Sequence, residues 1–145
     1  MLNIYFAGAI RGGRHDAELY ARLISYLKTF GKVLTEHVGD EELLRDEKLM
    51  TEEDIFRRDM QWLHTADLFV AEVTTPSLGV GYEIGLAQVL GKDIFCLYRP
   101  GENMRLSAMI AGNPALQVHS YTSRAEAEKL LAGWIGQFRR KTSAV

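Results

Sequence analysis

Strand-length apolar runs alternate with segments of helical period along the whole chain, and this alternation limits the fold more than any single residue. Residues 2–7 form a short apolar run, as expected of a strand buried on both faces. From residue 16 to 30, Leu19, Tyr20, Leu23, Ile24, Leu27 and Phe30 recur at helical spacing, and Gly31 supplies the stop. Residues 32–38 read as a second strand. The charge-dense residues 39–50 carry no pattern beyond some helix. Thr51-Glu52-Glu53-Asp54 resembles a capping box, with Asp in the usual Glu/Gln place, and opens a helix to residue 65. A strand at 67–73, a helix at 80–90, a strand at 93–98 and a weaker strand at 116–121 follow. Ser123-Arg124-Ala125-Glu126 opens the last helix, with Leu130, Leu131, Trp134, Ile135 and Phe138 on one face.

Strand and helix in strict turn predict an α/β fold with a parallel sheet covered on both faces. Short right-handed crossovers favour a flavodoxin-like (Rossmann-like) five-stranded sheet of order 2-1-3-4-5. The chain of 145 residues fits a single domain, residues 1–145. Ligands of such sheets bind beyond the carboxyl ends of the strands, where strand order reverses. Residues 8–14 and 74–83 are therefore expected to face each other across a cleft.

Composition removes several function classes. A net charge of −2 offers no basic face for a nucleic acid polymer. The single cysteine, Cys96, lies in an apolar strand run, which excludes an intrachain disulfide and a cysteine zinc cage. His15, His37, His64 and His119 are scattered without ligand spacing, so no metal and no cofactor are implied. Neither a basic leader nor an apolar span of ~20 residues is present, and the expectation is a cytoplasmic protein without a membrane.

Four features converge on the expected cleft. Gly8-Ala9-Ile10-Arg11-Gly12-Gly13-Arg14 is neither a dinucleotide fingerprint nor a P-loop. Its open backbone N–H groups, two arginines and a following helix N-terminus suit an anion or nucleotide, or else a tight turn with solvated arginines. Asp59 falls inside the apolar stripe of Ile55, Phe56, Met60 and Leu63. An inward carboxylate must be paired, hydrogen-bonded or protonated, and Arg11 or Arg58 could pair with it. Glu83 is the one charged residue between Val73 and Gly91. Near the positive end of its helix it would gain ~0.3–1 kcal/mol if exposed, either as a cap or as a nucleophile toward an acetal-type carbon. Tyr5, late in the first strand, is either core or the partner that orients a carboxylate. Two carboxylates and a tyrosine over a glycine-rich loop suggest cleavage of a glycosidic bond, with the leaving group left open.

The motifs are familiar as a set. Residues 5–14, Leu34-Thr35-Glu36-His37-Val38, Asp59-Met60-Gln61-Trp62-Leu63, Ala71-Glu72-Val73-Thr74 with residues 76–85, and Leu106-Ser107-Ala108-Met109-Ile110 resemble the 2′-deoxynucleoside 5′-phosphate N-hydrolases of the nucleoside 2-deoxyribosyltransferase superfamily. The likeness runs from about Asn3 to Gly112, with the motifs in family order.

That resemblance implies a metal-free hydrolase splitting 2′-deoxynucleoside 5′-monophosphates into free base and 2-deoxyribose 5-phosphate. Glu83 would attack C1′ and form a covalent sugar–enzyme intermediate. Asp59 would assist the departing base and then activate water, and Tyr5 would align Glu83. Residues 8–14, Ser77 and Gly79 would surround the sugar phosphate, while His37, Tyr20 and Met109 would flank base or sugar. Ser107 would come from the neighbouring subunit of a homodimer.

Ser77 bears on the choice of branch. The transferase branch carries aspartate there, which would repel a phosphate that a serine hydroxyl can bind. Ala9 departs from the N-hydrolase serine and loses one donor, worth ~1 kcal/mol. The alternatives are base exchange between deoxynucleosides through the same intermediate, and a non-catalytic nucleotide-binding module.

Overall fold

In the computed structural model, residues 1–10, 16–40, 47–101 and 105–145 are described. Five parallel strands form one sheet: β1 (Leu2–Ala7), β2 (Gly31–Val33), β3 (Leu68–Glu72), β4 (Asp93–Tyr98) and β5 (Gln117–Ser120), in the order 2-1-3-4-5. The helices are α1 (Ala17–Leu27), α2 (Glu52–Thr65), α3 (Leu78–Val89), a single turn α4 (Ala108–Ala111) and α5 (Arg124–Ser143). The expected α/β fold, strand order and helices on both faces are all present.

Side chains of a strand alternate between faces, so the parity of β1 and β3 decides what each layer receives. Ile4, Phe6, Leu68 and Val70 pack under α1 and α5. Tyr5, Ala7, Phe69 and Ala71 pack under α2 and α3. β1 pairs with β2 on one side (Ile4 with Val33) and with β3 on the other (Tyr5 with Phe69). The crevice where the order reverses therefore opens between the carboxyl ends of β1 and β3.

Local signals account for the element ends. Thr51 accepts a hydrogen bond from the Asp54 amide at 3.0 Å while Asp54 accepts from the Thr51 amide at 3.3 Å, so the aspartate version of the capping box is complete. In the last helix Ser123 caps the Glu126 amide, but the Glu126 carboxylate takes the Thr122 amide at 2.9 Å, one residue upstream of the expected place. Gly91, at φ +69°, closes α3 in the left-handed region that glycine tolerates without strain.

The second strand differs from its expected span of 32–38. Only Gly31–Val33 form it, because the Thr35 side chain takes over the next pairing position. Its hydroxyl accepts from the Phe6 amide at 2.8 Å and donates to the Phe6 carbonyl at 2.7 Å, satisfying the edge of β1. The chain then turns into a 3-10 turn, Glu36–Gly39, which carries His37 toward the crevice. Cys96 is buried on β4, and burial pushes its thiol up to about 12. Among the described residues no helix is long and apolar enough to cross a membrane.

Candidate active site

The α2 stripe that held Asp59 is not a core face. Leu63 alone is fully buried, while Ile55, Phe56, Asp59 and Met60 line a cavity of about 680 Å³. Gly8, Ile10, Glu47, Glu52, and the segment from Pro76 to Val80 with Tyr82 and Glu83 also line it. Such a volume lies within the range of small-molecule sites, ~300–1,000 Å³. An apolar helix face interrupted by a carboxylate was therefore the sequence trace of a cavity wall.

Three of the expected residues meet there. Tyr5 is held in the sheet layer, 2% exposed, with its ring stacked on Phe69 at 5.2 Å between centroids. Burial, then the carboxylates of Glu83 and Asp59, push its phenol far above the usual range, so it is a neutral O–H donor. It donates to Glu83. Glu83 sits in the second turn of α3, beyond the reach of the helix dipole. The expected gain for its ionised form is accordingly overridden. Burial first, then the charge of Asp59, push its carboxyl up to about 8, against the Tyr5 hydrogen bond. Burial also raises Asp59, whose side chain is 19% exposed, and Arg58 opposes that rise.

Asp59 has its arginine partner in Arg58, whose Nε donates to Oδ1 at 2.9 Å. The same guanidinium donates through Nη2 to Glu47 Oε1 at 3.0 Å and lies 3.2 Å from His37 Nε2. His37 and Glu47 thus join the site from the 3-10 turn and from the chain just before α2. Glu47 was hidden in the charge-dense segment that has no readable pattern.

Ser77 caps α3, accepting from the Val80 amide at 3.3 Å. With Gly79 it brings the start of that helix to the cavity wall, where N–H groups suit an anion. A Cβ on Gly79 would meet only Ser77 Oγ, at 3.8 Å, so the approach to the helix start is open.

Other expected residues stand elsewhere. Tyr20 is 1% exposed in the α1 core layer and is not among the described residues lining the cavity, although Gly8, on which its ring packs, is. The spacing that puts Tyr20 on the inward face of α1 commits it to packing. Its hydroxyl instead accepts from the Ala9 amide at 3.3 Å, and its ring fills the place of any Cβ at Gly8. Ala9 is wholly buried and off the cavity wall. Arg11, Gly12, Gly13 and Arg14 lie outside the described residues. Ser107 and Met109 line a second depression, about 750 Å³, on the other side of the Pro76–Leu78 segment. Within one chain they do not share a cavity with Glu83.

A model of the nucleoside 2-deoxyribosyltransferase family matches residues 4–135. The chain belongs to that family. Among its relatives, the 5-hydroxymethyl-dUMP N-hydrolase of Rattus norvegicus is 52% identical over 134 residues, 89% of this chain and 82% of the relative. The enzymes of the same name from Danio rerio and Homo sapiens are 47% and 49% identical, over 90% and 88% of this chain and 93% and 76% of the relatives. The Clostridium botulinum CMP N-glycosidase BcmB superposes with a TM-score of 0.65 at 23% identity, covering 91% of this chain and 98% of its own, which establishes a shared fold.

Proposed function

We propose that this chain hydrolyses the N-glycosidic bond of 2′-deoxynucleoside 5′-monophosphates, releasing free base and 2-deoxyribose 5-phosphate. The observation that carries the reading is the pair Glu83 and Asp59 on one cavity wall, with Tyr5 donating to Glu83. Glycoside cleavage needs two such acids, one to bond the anomeric carbon and one to manage the proton. Relatives named 5-hydroxymethyl-dUMP N-hydrolase at about half identity support the substrate class.

Glu83 in its ionised form bonds to C1′ while the C1′–N bond breaks. The electron pair goes to the base, which takes a proton from Asp59. Asp59, now a carboxylate, removes a proton from water as the water oxygen bonds to C1′ and the bond to Glu83 breaks. Both residues return to their starting states. The pair must hold one proton, on Asp59, at the moment of attack. Because Glu83 is pushed up to about 8, activity should fall as the pair loses its last proton above that pH.

Ser77, Gly79 and the glycine-rich segment after β1 are assigned to the phosphate and sugar. Leu78 and Met109 are 96% and 80% exposed beside the second depression, an apolar surface that a second copy would cover. The active unit of this reading is a homodimer in which Ser107 and Met109 of one copy reach the site of the other, acting in the cytoplasm.

The test is incubation with dGMP, dAMP, dCMP, dTMP and 5-hydroxymethyl-dUMP, beside the nucleosides and ribonucleotides, following free base by chromatography. Release from deoxynucleotides alone is expected. Base exchange between nucleosides without hydrolysis would move the chain to the transferase branch. Silence throughout would leave a binding module.

A further inference from the structure

Asp59 is half of a proton relay only if one of its oxygens faces the departing base in a fixed orientation. A carboxylate on a helix rotates about two side-chain bonds, and beside a cavity of about 680 Å³ a hydrogen bond fixes its orientation more sharply than apolar contact does. The restraint comes from the neighbouring residue. Arg58 is not on the cavity wall, yet it reaches around the helix to Oδ1 of Asp59 at 2.9 Å. Its guanidinium is in turn held by Glu47, His37, Met50 and Trp62. Glu47 Oε1, 7% exposed, accepts from Nη2 at 3.0 Å, Met50 Sδ lies 3.4 Å from Nη1, and the Trp62 ring lies beneath at 4.9 Å to its centroid. The planar fork of arginine allows this division of donors, which an ammonium could not reproduce.

We propose that Arg58, locked by Glu47 and Trp62, is a positioning residue that holds Oδ1 of Asp59 and leaves Oδ2 as the oxygen exchanging a proton with the leaving base. The Oδ2 proton passes to the base with the C1′–N electron pair moving the same way, and water returns a proton to Oδ2 in the second step. This inference rests on the hydrolase reading. It goes beyond it by assigning the second acid's orientation to a residue outside the cavity.

The charged and titratable groups around Asp59 are Arg58 and Glu52 on its own helix, Glu47 before it, His37 on the 3-10 turn, Tyr5 on β1 and Glu83 on α3. Two of them pull Asp59 in opposite directions. The Arg58 hydrogen bond and charge lower its carboxyl, whereas the Glu47 charge raises it. Replacing each should therefore displace the titration of Asp59 with opposite sign.

The experiment follows the Asp59 carboxyl carbon by NMR in ¹³C-labelled ligand-free protein, assigned with Asp59→Asn, for wild type, Arg58→Gln, Arg58→Lys and Glu47→Gln. The midpoint is expected to rise in Arg58→Gln and to fall in Glu47→Gln. Hydrolysis of 5-hydroxymethyl-dUMP by Arg58→Gln should lose about 10- to 100-fold in kcat with KM little changed, less than the ~10²–10⁴ of an acid itself, and Arg58→Lys should recover part of it. Midpoints that stay in place, or move in the same direction in both variants, would overturn the assignment even where the wild type hydrolyses nucleotides. A loss seen in KM alone would overturn it too. If Arg58→Gln does not fold, Glu47→Gln alone decides by the sign of its displacement. A wild type that releases no base would remove the reaction, while the titrations would still judge the clamp.

Discussion

Two buried clusters of acid and tyrosine hang from the carboxyl end of the same sheet, one on each face, and they are built to opposite ends. Under α1 and α5, Glu72 is 0% exposed and accepts from the Thr74 amide at 2.7 Å and the Tyr121 hydroxyl at 2.8 Å. Arg99 lies 3.6 Å from it and reaches on to Asp16 at 2.6 Å, where α1 begins. Under α2 and α3, Glu83 has the Tyr5 hydroxyl as donor, but its charged neighbour is a second carboxylate, Asp59. The first cluster is closed by its cation. The second opens onto a cavity, with its cation bound to the other acid. A carboxylate compensated on every side holds a fold together, whereas one left short of compensation is costly and reactive.

The widest separation is in activity. Glu83→Ala should remove at least about 10³-fold of the hydrolysis of 5-hydroxymethyl-dUMP and leave the circular dichroism spectrum unchanged, since nucleophile removal costs far more than a positioning contact. Full turnover in that variant would erase the contrast between the clusters. Glu72→Ala should do the reverse. Stripping the half-buried Arg99 of one of its two anions and the buried Tyr121 of its acceptor costs about 3 kcal/mol, roughly 10 °C in melting temperature for a chain of this size. A Glu72→Ala protein that melts with the wild type would show the cluster under α1 to be idle.

The unequal legibility of the two clusters has a physical origin. Asp59 stood out because a charge inside an apolar helical stripe violates a local pattern, and Glu83 because no other charge accompanies it for many residues on either side. Tyr5 was marked only by its place late in the first strand, and its role beside Glu83 came from the family resemblance. Nothing local marks the Glu72 cluster. Arg99 and Asp16 are separated by 83 residues and Tyr121 and Glu72 by 49, and only the folded sheet brings them together. Arg58 was legible as a possible partner of Asp59, but its second bond, to Glu47, was not. The second strand failed for another reason, because the Thr35 side chain imitates the backbone it replaces. Tyr20, which the resemblance places beside base or sugar, packs in the core layer as its helical spacing requires.

Tyr5→Phe separates orientation from packing within the reactive cluster. The ring remains stacked on Phe69, and only the hydrogen bond to Glu83 is lost. That bond holds Glu83 down, so its carboxyl should rise and more of the shared proton should sit on the nucleophile. Turnover near neutral pH should fall by about 10-fold, a loss of ~1.4 kcal/mol, the size of one hydrogen bond to a charged group. The alkaline limb of kcat/KM should move to higher pH. A limb that moves down, or activity equal to wild type, would detach Tyr5 from Glu83.

A further effect tests the same idea without substrate. Glu83 is raised from 4.5 to about 8 on folding. Below the lower value it is protonated in both folded and unfolded chains, and the folded state carries no penalty. As pH rises through the interval the unfolded chain ionises while the folded one resists, so stability is progressively lost and the loss is complete above pH 8. Glu83→Gln has no proton to lose. It should match the wild type at pH 4.5 and exceed it at pH 9 by about 2 kcal/mol, discounted for the half-buried position, or roughly 7 °C. Glu72→Gln, in the compensated cluster, should instead melt below the wild type at pH 9, because its loss leaves Arg99 short of its anion. Melting curves of both variants at the two pH values read the comparison directly. If both variants moved the same way at pH 9, the two clusters would differ only in whether they face a cavity.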